Sequence, residues 1–247
     1  MAVSLVLAED TRHSRRLLEY YGIRTPLEPY HEHNEARVAP RLVERLTRGE
    51  SLALISDAGT PLLSDPGHRL VQAAIEAQVP VVAVPGASAL LAALVVSGID
   101  SGRFTFFGFL PRKGRARAEA LDALLTVRHA AVLYEAPGRV AATLAELTRG
   151  GAGERRAAVA RELTKQFEDV RRGTVSELAR YYADSPPRGE VVIVLAGAPP
   201  AEVDEAAVRE RARSLLAAGA SARDVARTLI VEHGLARNVA YRLAHES

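Results

Sequence analysis

The chain has 247 residues, 48% of them hydrophobic and 25% charged, with a formal net charge of +2 and no cysteine. These figures exclude a disordered or collagen-like chain, and the lack of cysteine excludes disulfide scaffolds, thiolate metal sites and thiol catalysis. A charge this close to zero does not by itself indicate nucleic acid, so such a partner has to be sought in local clusters.

Met1 leads directly into AVSLVLAEDTR, an apolar run without the basic stretch or cleavage site of a signal peptide. No run reaches the ~20 apolar residues of a membrane span, so no membrane partner is expected, and the lack of cysteine fits a reducing, cytoplasmic setting. A strand over Val3 to Leu7 is followed by a charged helix through Leu17 and Leu18 and a strand over Leu52 to Ile55. A helical pattern over Leu70 to Ala77 and an apolar run over Val79 to Val84 come next. This alternation predicts a mainly parallel α/β layer. Two of its strands end in loops suited to a ligand, Ser56-Asp57-Ala58-Gly59-Thr60-Pro61 and Pro85-Gly86-Ala87-Ser88, because open parallel sheets bind ligands beyond the carboxyl ends of their strands.

Ser97 to Arg103 reads as a hinge. A second α/β unit follows, with strands over Phe104 to Phe109, Ala130 to Tyr134, Ala157 to Arg161 and Val191 to Leu195. Helices fall between them over Arg117 to Leu125, Arg139 to Leu147 and Val175 to Tyr182. After the linker Ala198-Pro199-Pro200 the pattern is wholly helical, with a capping signal at Ser221 and Asp224, a stop at Gly234 and a last helix over Ala236 to Ala244. The expected division is therefore 1–98, 103–197 and a helical extension over 203–247.

Several clusters suggest chemistry, each with an ordinary structural reading beside it. Tyr134 and Glu135 end a strand, where an aromatic beside a carboxylate suits a purine but a buried tyrosine is commoner. Lys165 suits a base or a charge partner, although a strand-end lysine is usually just exposed. His31-Glu32-His33-Asn34 offers one histidine pair and no third ligand at diagnostic spacing, so no metal is expected. Arg112, Lys113, Arg115 and Arg117 put four cations within six residues beside Phe106, Phe107 and Phe109. That composition suits phosphate contact with base stacking, against the commoner reading of a solvated basic loop.

In register along nearly the whole chain run AEDTR (8–12), HEHN (31–34), SDAGTPLLSDPG (56–67), VPGASA (84–89), GFLPRKGRAR (108–117), VLYEAPGR (132–139), ARELTKQFE (160–168) and RGEVVIVLAG (188–197). Together they resemble the 16S rRNA ribose 2′-O-methyltransferases of the tetrapyrrole methylase superfamily. The resemblance implies two α/β domains of the class III S-adenosylmethionine (SAM) methyltransferase type with a C-terminal helical extension, and SAM bound between the domains. It implies a homodimer that methylates the ribose 2′-hydroxyl of a decoding-centre cytidine in the small ribosomal subunit. Matched residue by residue, the donor falls to Ser56, Asp57, Ala58, Gly59 and Thr60, to Ser88 and Ala89, to Tyr134 and Glu135, and to Leu163, Gly189 and Glu190. RNA falls to Arg112, Lys113, Arg115 and Arg117. A base for the ribose hydroxyl is sought among Glu9, Asp10 and Lys165, with Arg12 to orient a phosphate.

The resembled family begins with a strand, a Pro-Thr-Pro-Ile-Gly-Asn-Leu loop and a helix ahead of the segment matching Ala2 to Arg12. Either the start is assigned too late, which is the expected reason, or the chain is a truncated form whose loss of a central strand would expose sheet edge and apolar surface. Two other readings compete: a small-molecule methyltransferase of the same fold, and a non-catalytic RNA-binding protein. The latter draws on the helix-turn-helix-like pattern of Val225, Leu229, Leu235, Val239 and Leu243. Seven acids balance seven arginines from Glu202 onward, which weakens that reading.

Overall fold

A computed structural model describes residues 3–199, 205–233, 235 and 237–246. The chain forms two compact units, Met1–Ala198 and Pro199–Ser247. The first holds two sheets. Strands β1 (Leu5–Ala8), β2 (Leu27–Pro29) and β3 (Leu52–Ile55) pair in the order β2-β1-β3, all parallel, as the alternating pattern predicts. Helix α1 (Thr11–Tyr20) follows β1, α2 (Glu35–Thr47) follows β2, and α3 (His68–Glu76) follows β3. Leu5 and Leu7, alternate residues of β1, are buried with Tyr30, Leu42 and Leu70, so one sheet face packs on α2 and α3.

Sequence reading misses β2, because Leu-Glu-Pro is too short and polar to stand out. Pro29 is tolerated there since β2 lies at an edge. The HEHN segment forms the turn into α2: buried Asn34 donates to the Pro29 carbonyl and accepts from the His31 amide. The apolar run Val79 to Val84 forms no strand. It has strand composition without a hydrogen-bonded neighbour, and Val82 and Val84 are exposed.

In the second sheet β4 (Phe104–Phe109), β5 (Ala130–Glu135), β6 (Arg156–Arg161), β7 (Asp169–Thr174) and β8 (Val191–Leu195) lie in the order β4-β5-β8-β6-β7. Only β4 and β5 are parallel. Strand β7 was not expected, since Asp-Val-Arg-Arg-Gly-Thr carries an edge strand's polar composition. Both faces of the central strands are covered, which explains their unbroken apolar runs. Ala131, Leu133, Val159 and Ile193 face a core shared with α5 (Arg115–Thr126), α6 (Val140–Leu147) and α7 (Val175–Asp184). The alternate residues Val132, Ala158, Val192 and Val194 face Leu90, Ala93 and Leu94 of α4 (Ala89–Ser97). Thus α4 precedes the expected hinge in sequence yet packs on the sheet that follows it.

The second unit contains α8 (Glu205–Ala217), α9 (Ala222–His233) and α10 (Arg237–Glu246) around Val208, Val225, Leu229 and Leu243. Ser221 caps α9 as expected, its hydroxyl accepting from the Asp224 amide and donating to the Asp224 carboxylate. Arg209, Arg211, Arg213, Arg227 and Arg242 pair with acids of the same unit. Met1, Ala2, Pro200, Glu202, Gly234 and Ala236 lie outside the described residues.

One expected RNA contact is overturned. Arg117 is only 9% exposed. Its guanidinium donates to the Glu146 carboxylate, the Thr143 hydroxyl and the Pro111 carbonyl. A cation in the first turn of a helix that packs against the sheet has to be paired where it sits, and this pairing removes it from the basic surface. Arg117→Ala is expected to cost about 2–4 kcal/mol in urea unfolding, because it strands Glu146 and the Pro111 carbonyl. Arg115→Ala, which loses only an exposed pair with Glu119, should change stability by less than about 0.5 kcal/mol.

Candidate active site

The carboxyl ends of β3, β4, β5 and β6 and the start of β8 surround a cavity of about 550 Å³, within the roughly 300–1,000 Å³ typical of cofactor sites. Ala58, Gly59 and Thr60 line it from the loop after β3, and Ser88 and Ala89 from the start of α4. Tyr134 and Glu135 line it from β5, Leu163 and Lys165 from the loop after β6, and Gly189 and Glu190 from the turn before β8. Loops from distant parts of the chain, matched one by one in the sequence, therefore meet around one space. Sequence reading left out Leu63, Ser64, Asp65 and Thr164, and placed Phe109 beside the basic loop rather than at the cavity. Asp65 lay in plain view within SDPG, but Asp-Pro-Gly reads first as a helix start.

Local chemistry sets these loops. The Thr60 hydroxyl donates to the Ala87 carbonyl at 3.0 Å, tying the loop after β3 to the one before α4. Ser56 donates to the Gly59 carbonyl at 3.1 Å and closes its own loop; neither it nor exposed Asp57 lines the cavity. Ser88 caps α4 through the Leu91 amide. Gly189 has φ +80°, and a Cβ there would strike the Glu162 carboxylate, which accepts from the Glu190 amide at 3.0 Å. Among the described residues the non-glycine positions with left-handed backbone are Leu62, Ser64, Gln78, Glu162 and Thr164. All but Gln78 lie in two loops that wall the cavity. Such conformations cost of order 1 kcal/mol each and persist where the surroundings over-determine them.

The charged groups differ sharply in availability. Lys165 Nζ lies 3.0 Å from Glu190 and 3.4 Å from Glu162, and the hydrogen bond to Glu190 above all raises its pKa. An ammonium held this way keeps its proton at neutral pH, so Lys165 is removed from the base candidates. Asp10 caps α1 through the Arg12 amide and pairs with the Arg12 guanidinium at 2.9 Å, which holds its carboxyl far below the usual range. Asp10 is therefore a poor base, and Arg12 reaches solvent already paired. Glu9 is exposed, and neither Glu9 nor Asp10 lines the cavity.

Glu135 lines the cavity, but its buried carboxylate is occupied by the Ala136 amide, the Thr143 hydroxyl and Arg139. Burial raises the phenol of Tyr134, which stays a hydrogen-bond donor, and Phe109 packs 5.5 Å from its ring. Asp65 is half-buried, and no hydrogen bond or ion pair among the described residues engages its carboxylate. Burial, then the charges of Glu9, Asp57 and Glu190, push it up to about 6. Alanine, leucine and valine side chains leave much of the wall apolar, while Asp65 and Glu190 give the site an acidic side. A wall of this kind fits a ligand with a flat apolar part. No group of three His, Asp or Glu residues suited to a metal occurs among the described residues.

A profile of the Tetrapyrrole (Corrin/Porphyrin) Methylases matches residues 1–179. The chain belongs to the tetrapyrrole methylase family. Within it, the relative named ribosomal RNA small subunit methyltransferase I of Synechocystis sp. is 44% identical over 88% of this chain and 79% of its own length. The relative of the same name from Xylella fastidiosa (strain Temecula1) is 49% identical over 85% of this chain and 77% of its own. A solved uroporphyrin-III C-methyltransferase from Thermus thermophilus, complexed with S-adenyl homocysteine, shares the fold at TM-score 0.54. It is 20% identical and covers 78% of this chain and 85% of its own. A solved diphthine synthase aligns at TM-score 0.57 and 16% identity, over 78% of this chain and 79% of its own. The two-sheet α/β architecture is thus that of the tetrapyrrole methylases.

The raised Asp65 carboxyl has a consequence for stability in this methylase fold. With a folded pKa near 6 and an unfolded one near 4, Asp65 costs nothing at low pH, where both states are protonated. The cost grows from about pH 4 to about pH 6 and is constant above. Asp65→Asn should therefore melt with wild type near pH 4 and above it near pH 7.5. Discounted for partial solvent screening, the gain is about 1 kcal/mol, or about 2–4 °C. Equal melting temperatures across that range would overturn the electrostatic reading of this carboxyl.

Proposed function

We propose that this chain is a SAM-dependent methyltransferase that 2′-O-methylates the ribose of a decoding-centre cytidine in 16S rRNA of the small ribosomal subunit, acting as a cytoplasmic homodimer. The observation that carries the reading is a donor-sized cavity set beside a basic loop, in a chain close to half identical to relatives named for methylating small-subunit rRNA. A small-molecule substrate would have no use for that loop.

Arg112, Lys113 and Arg115 are exposed around Gly114, and the loop is anchored at its base. Arg139 donates to the Leu110 carbonyl at 2.8 Å and Arg117 to the Pro111 carbonyl at 3.0 Å. Phe109, 56% exposed at the cavity, offers a face for a base to stack on. The donor is assigned to Ala58, Gly59, Thr60, Ser88, Ala89, Tyr134, Leu163, Gly189 and Glu190, with Glu135 shaping the wall. Bound there, SAM supplies a methyl group on a positively charged sulfur. The protein's task is to align the ribose hydroxyl with that methyl, exclude water and accept one proton. Support for the dimer comes from Tyr20, Tyr21 and Ile23, an exposed apolar corner of the kind a second copy covers. No helix among the described residues is long and apolar enough to cross a membrane.

The test is transfer of labelled methyl from SAM to small subunits from a strain lacking the modification, with the product mapped on the RNA. A ribose methyl on a decoding-centre cytidine is expected; label confined to a base, or none, would sink the reading. Changing Arg112, Lys113 and Arg115 together to alanine should weaken RNA binding and flatten its salt dependence by about 0.7–0.9 per lost phosphate contact. SAM affinity measured by calorimetry should stay unchanged.

A further inference from the structure

We propose that the Asp65 carboxylate takes the proton from the ribose hydroxyl that receives the methyl group. The inference rests on the ribose-methylation reading above and names the base that the sequence left open among Glu9, Asp10 and Lys165.

The geometry isolates Asp65 by elimination. Of the acids at the cavity, Glu135 is saturated by an amide, a hydroxyl and a guanidinium, and Glu190 is held by Lys165. Glu162, behind the wall, accepts from the Glu190 amide and pairs with Lys165. Asp65 lines the same space with its carboxylate oxygens unspent among the described residues. It is set there by a loop in which Leu62 at φ +74° and Ser64 at φ +70° precede it and Gly67 at φ +136° follows. A Cβ on Gly67 would overlap Leu54 and Leu62, so the far side of the loop is seated against β3 and has little room to relax away from the cavity.

The groups whose charge reaches Asp65 come from three separate segments: Glu9 after β1, Asp57 after β3 and Glu190 before β8. Tyr134 at the end of β5 lines the cavity with it, and Lys165, a cation of the cavity wall, is bound to Glu190. Burial, and after it three like charges, make Asp65 a more avid proton acceptor than an ordinary carboxylate while leaving it ionised at neutral pH, the balance a general base needs. The step balances. The ribose O–H breaks and its proton goes to a carboxylate oxygen of Asp65; the O–CH3 bond forms as the S–CH3 bond breaks, and the sulfur keeps that electron pair as a neutral thioether. The protonated carboxyl then loses its proton to water.

The experiment compares wild type, Asp65→Asn and Asp65→Glu in single-turnover transfer to unmodified small subunits from about pH 5 to 9. SAM affinity by calorimetry and the Asp65 carboxyl titration by carbon NMR are measured alongside. Wild-type rates should rise about tenfold per pH unit below a break that coincides with the NMR titration, and level off above it. Asp65→Asn should lose about 10²–10⁴-fold in rate, keep its SAM affinity within about threefold and show no break; Asp65→Glu should recover part of the rate and a break.

Three results would overturn the proposal: an Asn variant within about threefold of wild type, a break that persists without the carboxylate, or SAM affinity falling in step with rate. The last would make Asp65 a clamp on the donor. If wild type deposits no ribose methyl at all, the functional reading falls with it, whereas normal transfer by both wild type and Asp65→Asn removes only the base.

Discussion

Glu135 carries a charge at the end of β5 with almost no access to water, and much of the active-site architecture follows from how that charge is satisfied. An unpaired buried carboxylate would cost several kcal/mol. Its oxygens accept from the Ala136 amide, from Thr143 on α6 and from Arg139 in the turn between. Thr143 and Arg139 are then spent a second time. Thr143 accepts from Arg117 at the start of α5, and Arg139 and Arg117 reach the carbonyls of Leu110 and Pro111. One buried charge thus joins a cavity wall, two helices and the base of the loop that carries Arg112, Lys113 and Arg115. The cavity and the loop that carries these three cations are held side by side by hydrogen bonds rather than by an apolar contact, which fixes direction as well as distance.

Around the cavity the acids divide by what holds them. Glu162 is committed to the Glu190 amide and to Lys165, Glu190 to Lys165, and Asp10 to Arg12. Asp65 has no hydrogen-bond or ion-pair partner among the described residues, and burial, then its repulsive neighbours, raise its pKa. The positive-φ residues Leu62, Ser64, Glu162 and Thr164 fall in the loops that carry or face these acids. Strain and perturbed charge collecting at one place is the pattern of a site kept against the interest of stability.

The central strands were legible because both of their faces are covered, and continuous valine, alanine and leucine runs admit few other structures. Strands β2 and β7 were not, since edge strands are short or polar and draw their stability from one neighbour that local sequence does not reveal. The run Val79 to Val84 failed in the opposite sense: its composition favours a strand, but a strand exists only where a partner supplies backbone hydrogen bonds. In the site, the glycine loops and the Tyr134-Glu135 strand end could be found from sequence, because their residue types and their place after strands both point to a ligand. Asp65 was hidden by the stronger local signal of Asp-Pro-Gly, and Arg117 was misread because a charge run in sequence looks solvated whether or not one member turns inward.

By itself, then, the sequence determined the α/β class, the parallel first sheet, the helical tail, the kinship with the methylases and the set of loops that meet around the donor space. These depend on periodicity and on residue types whose chemistry is local. The tertiary structure alone decided which charges are free. Lys165 keeps its proton because Glu190 and Glu162 sit within 3.4 Å of it, and Arg117 is withdrawn because Glu146 lies beneath it. Asp65 differs because no hydrogen bond or ion pair among the described residues engages its carboxylate. A group's readiness to give or take a proton depends on the charges and the water around it, and those neighbours come from elements far apart in the chain.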